Sequence, residues 1–428
     1  MSALSIFFST QFYDSKSKSR NVRGGVPQGA VTSPVLFNFY LAGLPRLPPG
    51  ISIIQYADDI SIYACGKDIQ RLSQAITDYV KLVKAFLDER ELKVSAEKST
   101  VTLFTPSTHE FNVHPDVRID DEKIRLEKTP KVLGVVFDTM RTFSHHVKST
   151  VSKAKTKLNI IKALAGTSWG QDQETMVLTY KSVCRSVLEY ASPVWSPHIS
   201  PSNTAKLQSI QNHALRAATG CHRMASVDHI HQETKVLPVK EHTEMVAKQY
   251  LATCFNPKHP GNKQLNKPRD PRVMKTTINT YKDQVADLLG NVQQPDDTII
   301  KAAQKTIHSE SVADTTSNLA PNRVLGILPP EINQEILTLD RTTRSELSQL
   351  RSGFSKRLNS YLHRLDASIP DECPDCLLSP HDTAHLFACR ANPTVLTPDS
   401  LWSSPVEAAN FLKLEFEPPP PQAPMRET

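Results

Sequence analysis

Two carboxylates stand side by side at Asp58 and Asp59, within the stretch ISIIQYADDISIY at residues 51–63. Adjacent carboxylates repel each other unless a cation offsets the charge, and a hard divalent ion with oxygen ligands is the natural partner. The flanking runs ISII and ISIY are apolar and β-branched, so they read as strands, with Asp at home in the tight connection. The expected element is a hairpin that lifts both carboxylates out of a buried sheet at its tip. A purely structural Asp-Asp turn explains the same residues as simply, so the reading needs support from the rest of the chain.

A second set of ligand-type residues lies far downstream. Cys373, Cys376, His385 and Cys389 fall within CPDCLLSPHDTAHLFAC, which holds three of the seven cysteines. Three thiolates and an imidazole at this spacing can close a tetrahedral shell around Zn2+, and a shell with no open position is structural. His381 competes with His385 for the fourth place. It lies in a Ser-Pro turn that would have to bend sharply, which favours His385. Residues 366–392 hold few large apolar side chains, chiefly Ile369, Leu377, Leu378, Leu386 and Phe387. A metal is expected to supply the stability that so small a core cannot. Cys65, Cys184, Cys221 and Cys254 are scattered, which argues against a disulfide framework and for a reducing compartment.

The elements that must position the Asp pair begin with GGVPQGAVTSPVLFNFYLAGLP at residues 24–45. Gly24, Gly25 and Gly29 with Pro27 make a loop whose backbone amides can approach a ligand closely. Ser33 as N-cap and Pro34 at the first helical position open a helix, along which Leu36, Phe37, Tyr40, Leu41 and Leu44 recur. A Gly-rich loop leading into a helix N-terminus suits a phosphate or a nucleotide. Beyond the hairpin, Ile69, Leu72, Ile76, Val80, Val83 and Leu87 space out an amphipathic helix over 67–90. Residues 91–104, ELKVSAEKSTVTLF, read as a helix end passing into a strand. Residues 106–130 are polar and carry no pattern.

GVPQG, then SPVLFN, then YADD, in that order and spacing, resemble the reverse transcriptases of non-LTR (LINE-type) retrotransposons, particularly Jockey-like ones. The resemblance implies that Asp58 and Asp59 are palm aspartates holding Mg2+, with Tyr56 and Ala57 shaping the floor under a primer terminus. It implies that Gly25, Pro27, Gln28 and Gly29 lie against the incoming deoxynucleotide and the template base. Lys98 matches the family's candidate proton donor to pyrophosphate, although Ser95 stands where the family usually has Asn. Residues 131–147 look like the family's primer-gripping hairpin, leading into a thumb. YASPVWSP and a Cys/His knuckle near the C-terminus also match the family.

Past that hairpin the chain is readable from periodicity. Val147, Val151, Ala154, Leu158, Ile161 and Ala165 form one apolar seam, with Lys148, Lys153, Lys155, Lys157 and Lys162 off it. Beside a polymerase palm, such a basic face is where a duplex backbone would pass, and Lys148, Lys155 and Lys162 are its expected contacts. Between Arg141 and Arg223 eleven Lys or Arg stand against three acids, an excess of +8 that exceeds the whole-chain +6. Further helices are expected over 172–190 and 206–220, the latter ending at Gly220. From about 254 to 322 periodicity fades and the composition is linker-like. Helical character returns at 340–365, and EPPPPQAPMRET is a flexible tail.

The expected fold is therefore α+β: a partial palm with an antiparallel sheet and helices, a helical thumb, and a small zinc-knuckle segment. The divisions fall at 1–140 (palm fragment), 141–253 (thumb and connection), 254–340 (linker-like) and 341–428 (C-terminal region). The implied activity is RNA-directed DNA synthesis by two-metal nucleotidyl transfer, with an RNA template, a DNA primer or target, and deoxynucleotides as partners. The family's further metal-binding aspartate lies well upstream of the Gly-rich loop. Here the one carboxylate before that loop is Asp14, in a polar stretch. The expectation is an N-terminally truncated piece from the C-terminal half of a polyprotein, inactive alone. The alternative is a catalytically dead remnant that binds nucleic acid through thumb and knuckle. No apolar run approaches the roughly 18 residues of a membrane span, and an intracellular protein of nucleus or cytoplasm is expected.

Overall fold

Ile51–Tyr56 and Asp59–Ala64 pair antiparallel with Tyr56 opposite Asp59, so only Ala57 and Asp58 connect them. Two-residue connections of this kind need left-handed backbone, and Ala57 supplies it at φ 51°. Ile51, Ile53, Ile60, Ile62 and Ala64 line one face and pack on the helix Ile69–Asp88. That helix starts where Asp68 accepts a hydrogen bond from the Arg71 amide at 3.0 Å. Its deepest apolar side chains are Tyr79, Val83, Phe86 and Leu87, and the Tyr79 hydroxyl donates to the Pro45 carbonyl at 2.9 Å.

The computed structural model describes residues 6–9, 11–22, 25–26, 29–166, 169–266, 276–290, 292 and 294–414. The chain divides into two units, one of residues 1–131 with 138–140, the other of 132–137 with 141–428. The first unit contains the hairpin, the helix Ser33–Tyr40 and several short strands. Its segment 106–130, unpatterned in sequence, has structure after all. Arg118–Ile119 pairs with Glu122–Lys123 across Asp120 and Asp121, both left-handed at φ 51° and 63°. Val117, Ile119 and Ile124 then pack against Ile76 and Val80 on a second side of the Ile69–Asp88 helix. The pattern escapes notice because each strand is only two residues long. The Ser33 cap also needs correcting: the N-cap is Thr32, and Ser33 is the first helical residue.

The second unit is helical. The seam of Ser144–Ala163 is buried as its spacing implies, with Val147, Ala154, Leu158 and Ile161 at 5% exposure or less. Burying each of the larger three stabilises by about 1.5–3 kcal/mol. Gln173–Thr179 continues through a π-helical stretch, Tyr180–Arg185, into Ser186–Leu188, so the helix expected from 172 carries a bulge. Pro201–Thr219 begins earlier than its periodicity, because Ser200 caps it and Pro201 is its first residue. It ends at Gly220, φ 71°. Trp195 is fully buried and donates to the Tyr190 carbonyl at 2.9 Å.

Among its described residues, the stretch read as linker-like contains the short helix Asn262–Leu265 and two longer ones, Thr277–Leu288 and Asp297–Ser317. Val285, Leu289, Ile300, Ala303 and Ile307 pack with Met245, Leu251 and Ala252 from Val239–Cys254 in a small core of their own. A core this thin leaves most of each helix polar, which is why no stripe stood out. The main core joins the 144–219 helices to Arg341–Ser352, Asn359–Leu365 and Pro405–Phe411. At its centre Arg351 is fully buried. It pairs with Glu233 at 3.2 Å, donates twice to the Leu401 carbonyl and lies over the Trp402 ring.

Candidate functional site

The hairpin sets two carboxylates in different places. Successive strand residues alternate faces, and Ile54 and Tyr56 are exposed opposite Ser61 and Asp59 on the face away from the helix. Asp59 therefore shares the open face with Tyr56, while Asp58 stands at the tip. Both are exposed, and across the tip the Gln55 side-chain amide donates to the Ala57 carbonyl at 3.3 Å. Exposed carboxylate oxygens with no hydrogen-bond or ion-pair partner among the described residues can hold a hard cation whose other ligands come from water or phosphate. Among the described residues no third Cys, His, Asp or Glu joins them in a ligand group.

Gly25 and Gly29 adopt φ 88° and 90°, and among the described residues no atom lies within 4 Å of where a Cβ would sit on either. Glycine is required there by backbone conformation rather than by crowding, leaving an open main chain. Pro27 and Gln28 lie outside the described residues. Lys98 is exposed on a turn, where its amide donates to Ser95 Oγ at 3.4 Å. No hydrogen bond or ion pair among the described residues ties Lys98 to Asp58 or Asp59.

On Ser144–Ala163, Lys148, Lys153, Lys155, Lys157 and Lys162 are all exposed, and none forms an ion pair among the described residues. The three acids of the surrounding segment are committed elsewhere. Asp172 caps a helix by accepting from the Thr175 amide, which holds its carboxyl below the usual range. Glu174 pairs with Arg344, and Glu189 pairs with both Arg185 and His242. Apart from Arg185, the described cations of the segment, the five lysines included, are not paired with these acids. Val136 donates its amide to His146 Nδ1 at 3.2 Å, and burial, then Lys153, hold His146 below the usual imidazole range.

Cys373, Cys376, His385 and Cys389 form a Cys3His zinc-binding group, their ligand atoms all within 4.8 Å of one another. Cys373 and Cys389 sulfurs are 3.8 Å apart. Zinc–sulfur bonds of about 2.3 Å at a tetrahedral angle place two thiolates about 3.8 Å apart. Cys376 Sγ lies 3.2 Å from His385 Nε2. The donor set and the geometry both fit a closed structural shell. His381 is excluded from it: it is buried, and its Nδ1 accepts the Asn359 amide at 3.1 Å. Asp382, which carried no signal when only ligand types were sought, accepts from the His385 amide at 2.9 Å and so starts the helix Thr383–Ala388. An Asp three residues before a helical ligand is a readable cap.

The group is not a free-standing bead. Phe387 stacks on Phe411 at 5.9 Å within the main core, and Thr383 donates to the Leu350 carbonyl at 3.0 Å.

Residues 2–159 match the family model described as reverse transcriptase (RNA-dependent DNA polymerase). The chain is similar to the probable RNA-directed DNA polymerase from transposon X-element of Drosophila melanogaster, 23% identical over 271 residues, 62% of this chain and 29% of that protein. It is 24% identical over 243 residues to the RNA-directed DNA polymerase from mobile element jockey of the same organism, 55% of this chain and 26% of that protein. A retrovirus-related Pol polyprotein from type-1 retrotransposable element R1 2 of Nasonia vitripennis is 22% identical over 177 residues, 40% of this chain and 43% of that protein. The chain spans less than a third of the length of the first two. No solved structure matches it.

Proposed function

We infer function from one premise, that the chain is related through residues 2–159 to the reverse transcriptases of non-LTR retrotransposons. The reading is RNA-directed DNA synthesis, with Asp58 and Asp59 as the carboxylates that hold catalytic Mg2+. The observation that carries it is the hairpin end, which exposes Asp58 on the two-residue connection and Asp59 beside it on the open face of the strand pair. Bound Mg2+ would stabilise charge on the reacting phosphate oxygens. Tyr56 and Ala57 would border the primer terminus, the Gly25 and Gly29 loop would lie along the nucleotide, and Lys98 would donate a proton to pyrophosphate.

Two carboxylates without a third donor are fewer than this chemistry uses, so the described residues make an incomplete site. The purified chain is expected to give no magnesium-dependent extension of a primed RNA template. Sustained extension, abolished by Asp58→Ala, would overturn the incompleteness while supporting the reaction.

A second reading, a nucleic-acid-binding remnant, is favoured by one observation: five exposed lysines on Ser144–Ala163 beside acids that are all engaged elsewhere. Replacing Lys148, Lys155 and Lys162 with Gln should then weaken binding to all duplex sequences alike and flatten its salt dependence. Unchanged affinity and slope would leave these lysines as a solvated face.

A further inference from the structure

A second basic surface lies beside the Cys3His group, built from parts far apart in sequence. Its scaffold is a buried aromatic pair, Phe354 and Tyr361, packed edge to face at 6.0 Å. Arg323 lies over the Phe354 ring with its guanidinium carbon 4.8 Å from the centroid. His222 packs edge-on to Tyr361 at 5.2 Å, with Nε2 at 2.9 Å from the Tyr361 hydroxyl. Three segments that are remote in the chain are therefore tied to one pair of rings.

Each segment brings an exposed cation with it. Arg223 follows His222, Lys356 follows Phe354 by two residues, and Arg364 stands one helical turn after Tyr361 on Asn359–Leu365. With Arg323 they make four exposed cations, none in an ion pair among the described residues. Their fields reach two groups on the rings, Arg323 and His222. Burial lowers the Arg323 pKa and nearby Arg364 lowers it further, against a favourable pull from Asp382. Burial, then Arg223 and Lys356, hold His222 below the usual imidazole range. The neighbouring Arg357 is different, being neutralised by Glu346 at 2.7 Å.

Four cations with only Asp382 acting against them cost the fold stability, and a polyanion laid across them removes that cost. The rings beneath are buried, so they hold the cations in place rather than offering a stacking platform for bases. We propose that Arg223, Arg323, Lys356 and Arg364 form a contact site for the phosphodiester backbone of a nucleic acid, separate from the lysine face of Ser144–Ala163. The site reads charge rather than sequence. It borders the zinc group directly, since Asn359 at the head of its helix donates to His381 and Asp382 starts the helix bearing His385. The proposal extends the nucleic-acid reading above and rests on it.

The test uses the full chain with labelled single-stranded RNA of mixed sequence, titrated by fluorescence anisotropy across a salt series. The variant is Arg223→Gln, Lys356→Gln, Arg364→Gln together; Arg323 is left in place because it packs on Phe354. A melting temperature no lower than that of the parent chain shows that the variant folds, and Arg223→Lys with Arg364→Lys should restore binding. Loss of three phosphate contacts should flatten the log–log salt slope by about 2 units for a single strand. The comparator is the Lys148, Lys155, Lys162 triple Gln variant. If only the comparator loses affinity, this site fails while the broader reading stands; if neither does, both fail. If the cluster variant keeps RNA binding but loses binding to phosphatidylserine vesicles, a membrane surface replaces nucleic acid and the proposal is overturned.

Discussion

Cys376 Sγ and His385 Nε2 approach to 3.2 Å although nine residues separate them, because Asp382 starts a helix that turns the imidazole back toward the thiol. The four ligands are thereby assembled by the fold, with Phe387 and Thr383 fastening them to the main helical core.

Removal of zinc from the full chain should therefore loosen residues 366–392 while leaving the 144–219 helices folded. Limited proteolysis after chelation should cut first in that segment, and Cys376→Ser should behave like the chelated protein. Cobalt in place of zinc should give the visible spectrum of a tetrahedral three-thiolate site. Loss of metal binding in His381→Ala, with His385→Ala spared, would reverse the ligand assignment.

The buried pair Arg351–Glu233 predicts an asymmetric response. Glu233→Gln leaves a fully buried guanidinium short of its counter-charge and should cost about 3–5 kcal/mol in urea unfolding. Replacing both residues together, Arg351→Met with Glu233→Leu, should cost less than Glu233→Gln alone. Equal or additive losses would mean that the ion pair is not the coupled unit its geometry describes.

Burial is the leading cause that depresses the pKa of His146, His198, His222, His229 and His231 below 6.5. A histidine held neutral in the fold takes its proton more readily once the chain unfolds. Stability from these groups is complete above pH 6.5 and is lost as pH falls from there through the lower folded values. The unfolding free energy should therefore decline below pH 6.5 with a slope reporting more than one proton taken up. A flat profile down to pH 5 would refute it.

Gly220 and Gly290 separate two effects of the same substitution. Both are left-handed, at φ 71° and 64°. A Cβ on Gly220 would overlap Ser345 Oγ and Cβ, whereas one on Gly290 would meet nothing within 4 Å. Gly290→Ala should cost about 1 kcal/mol of backbone strain. Gly220→Ala adds overpacking, for a total of about 2–4 kcal/mol. Equal melting temperatures for the two variants would show that Ser345 yields freely.

What the sequence made legible was what local spacing encodes. The Asp58–Asp59 hairpin follows from two β-branched runs flanking a short polar core, whereas the two-residue turn itself is set by the pairing of Tyr56 with Asp59. The Ser144–Ala163 seam follows from a strict alternation of three and four, and the Cys3His set from ligand types at fixed offsets. What stayed hidden depends on partners distant in the chain. Ile300, Ala303 and Ile307 look like incidental apolar residues until Met245 and Leu251 are set against them. Arg351 reads as one more surface cation, because its burial is decided by Glu233 and Leu401. Arg223, Arg323 and Arg364 share a surface only because Phe354 and Tyr361 draw their segments together.

Glu233 is made 118 residues before Arg351. At ~5–20 residues per second, a ribosome needs about 6–24 s to bridge that interval. During it the 173–219 helices exist, but closing them would bury a carboxylate with no guanidinium to meet it. Until residue 351 clears the exit tunnel, closure would leave Glu233 with only His229 beside it. A message broken anywhere between those two codons would yield a protein carrying Glu233 without Arg351, and such products should be degraded rather than accumulate.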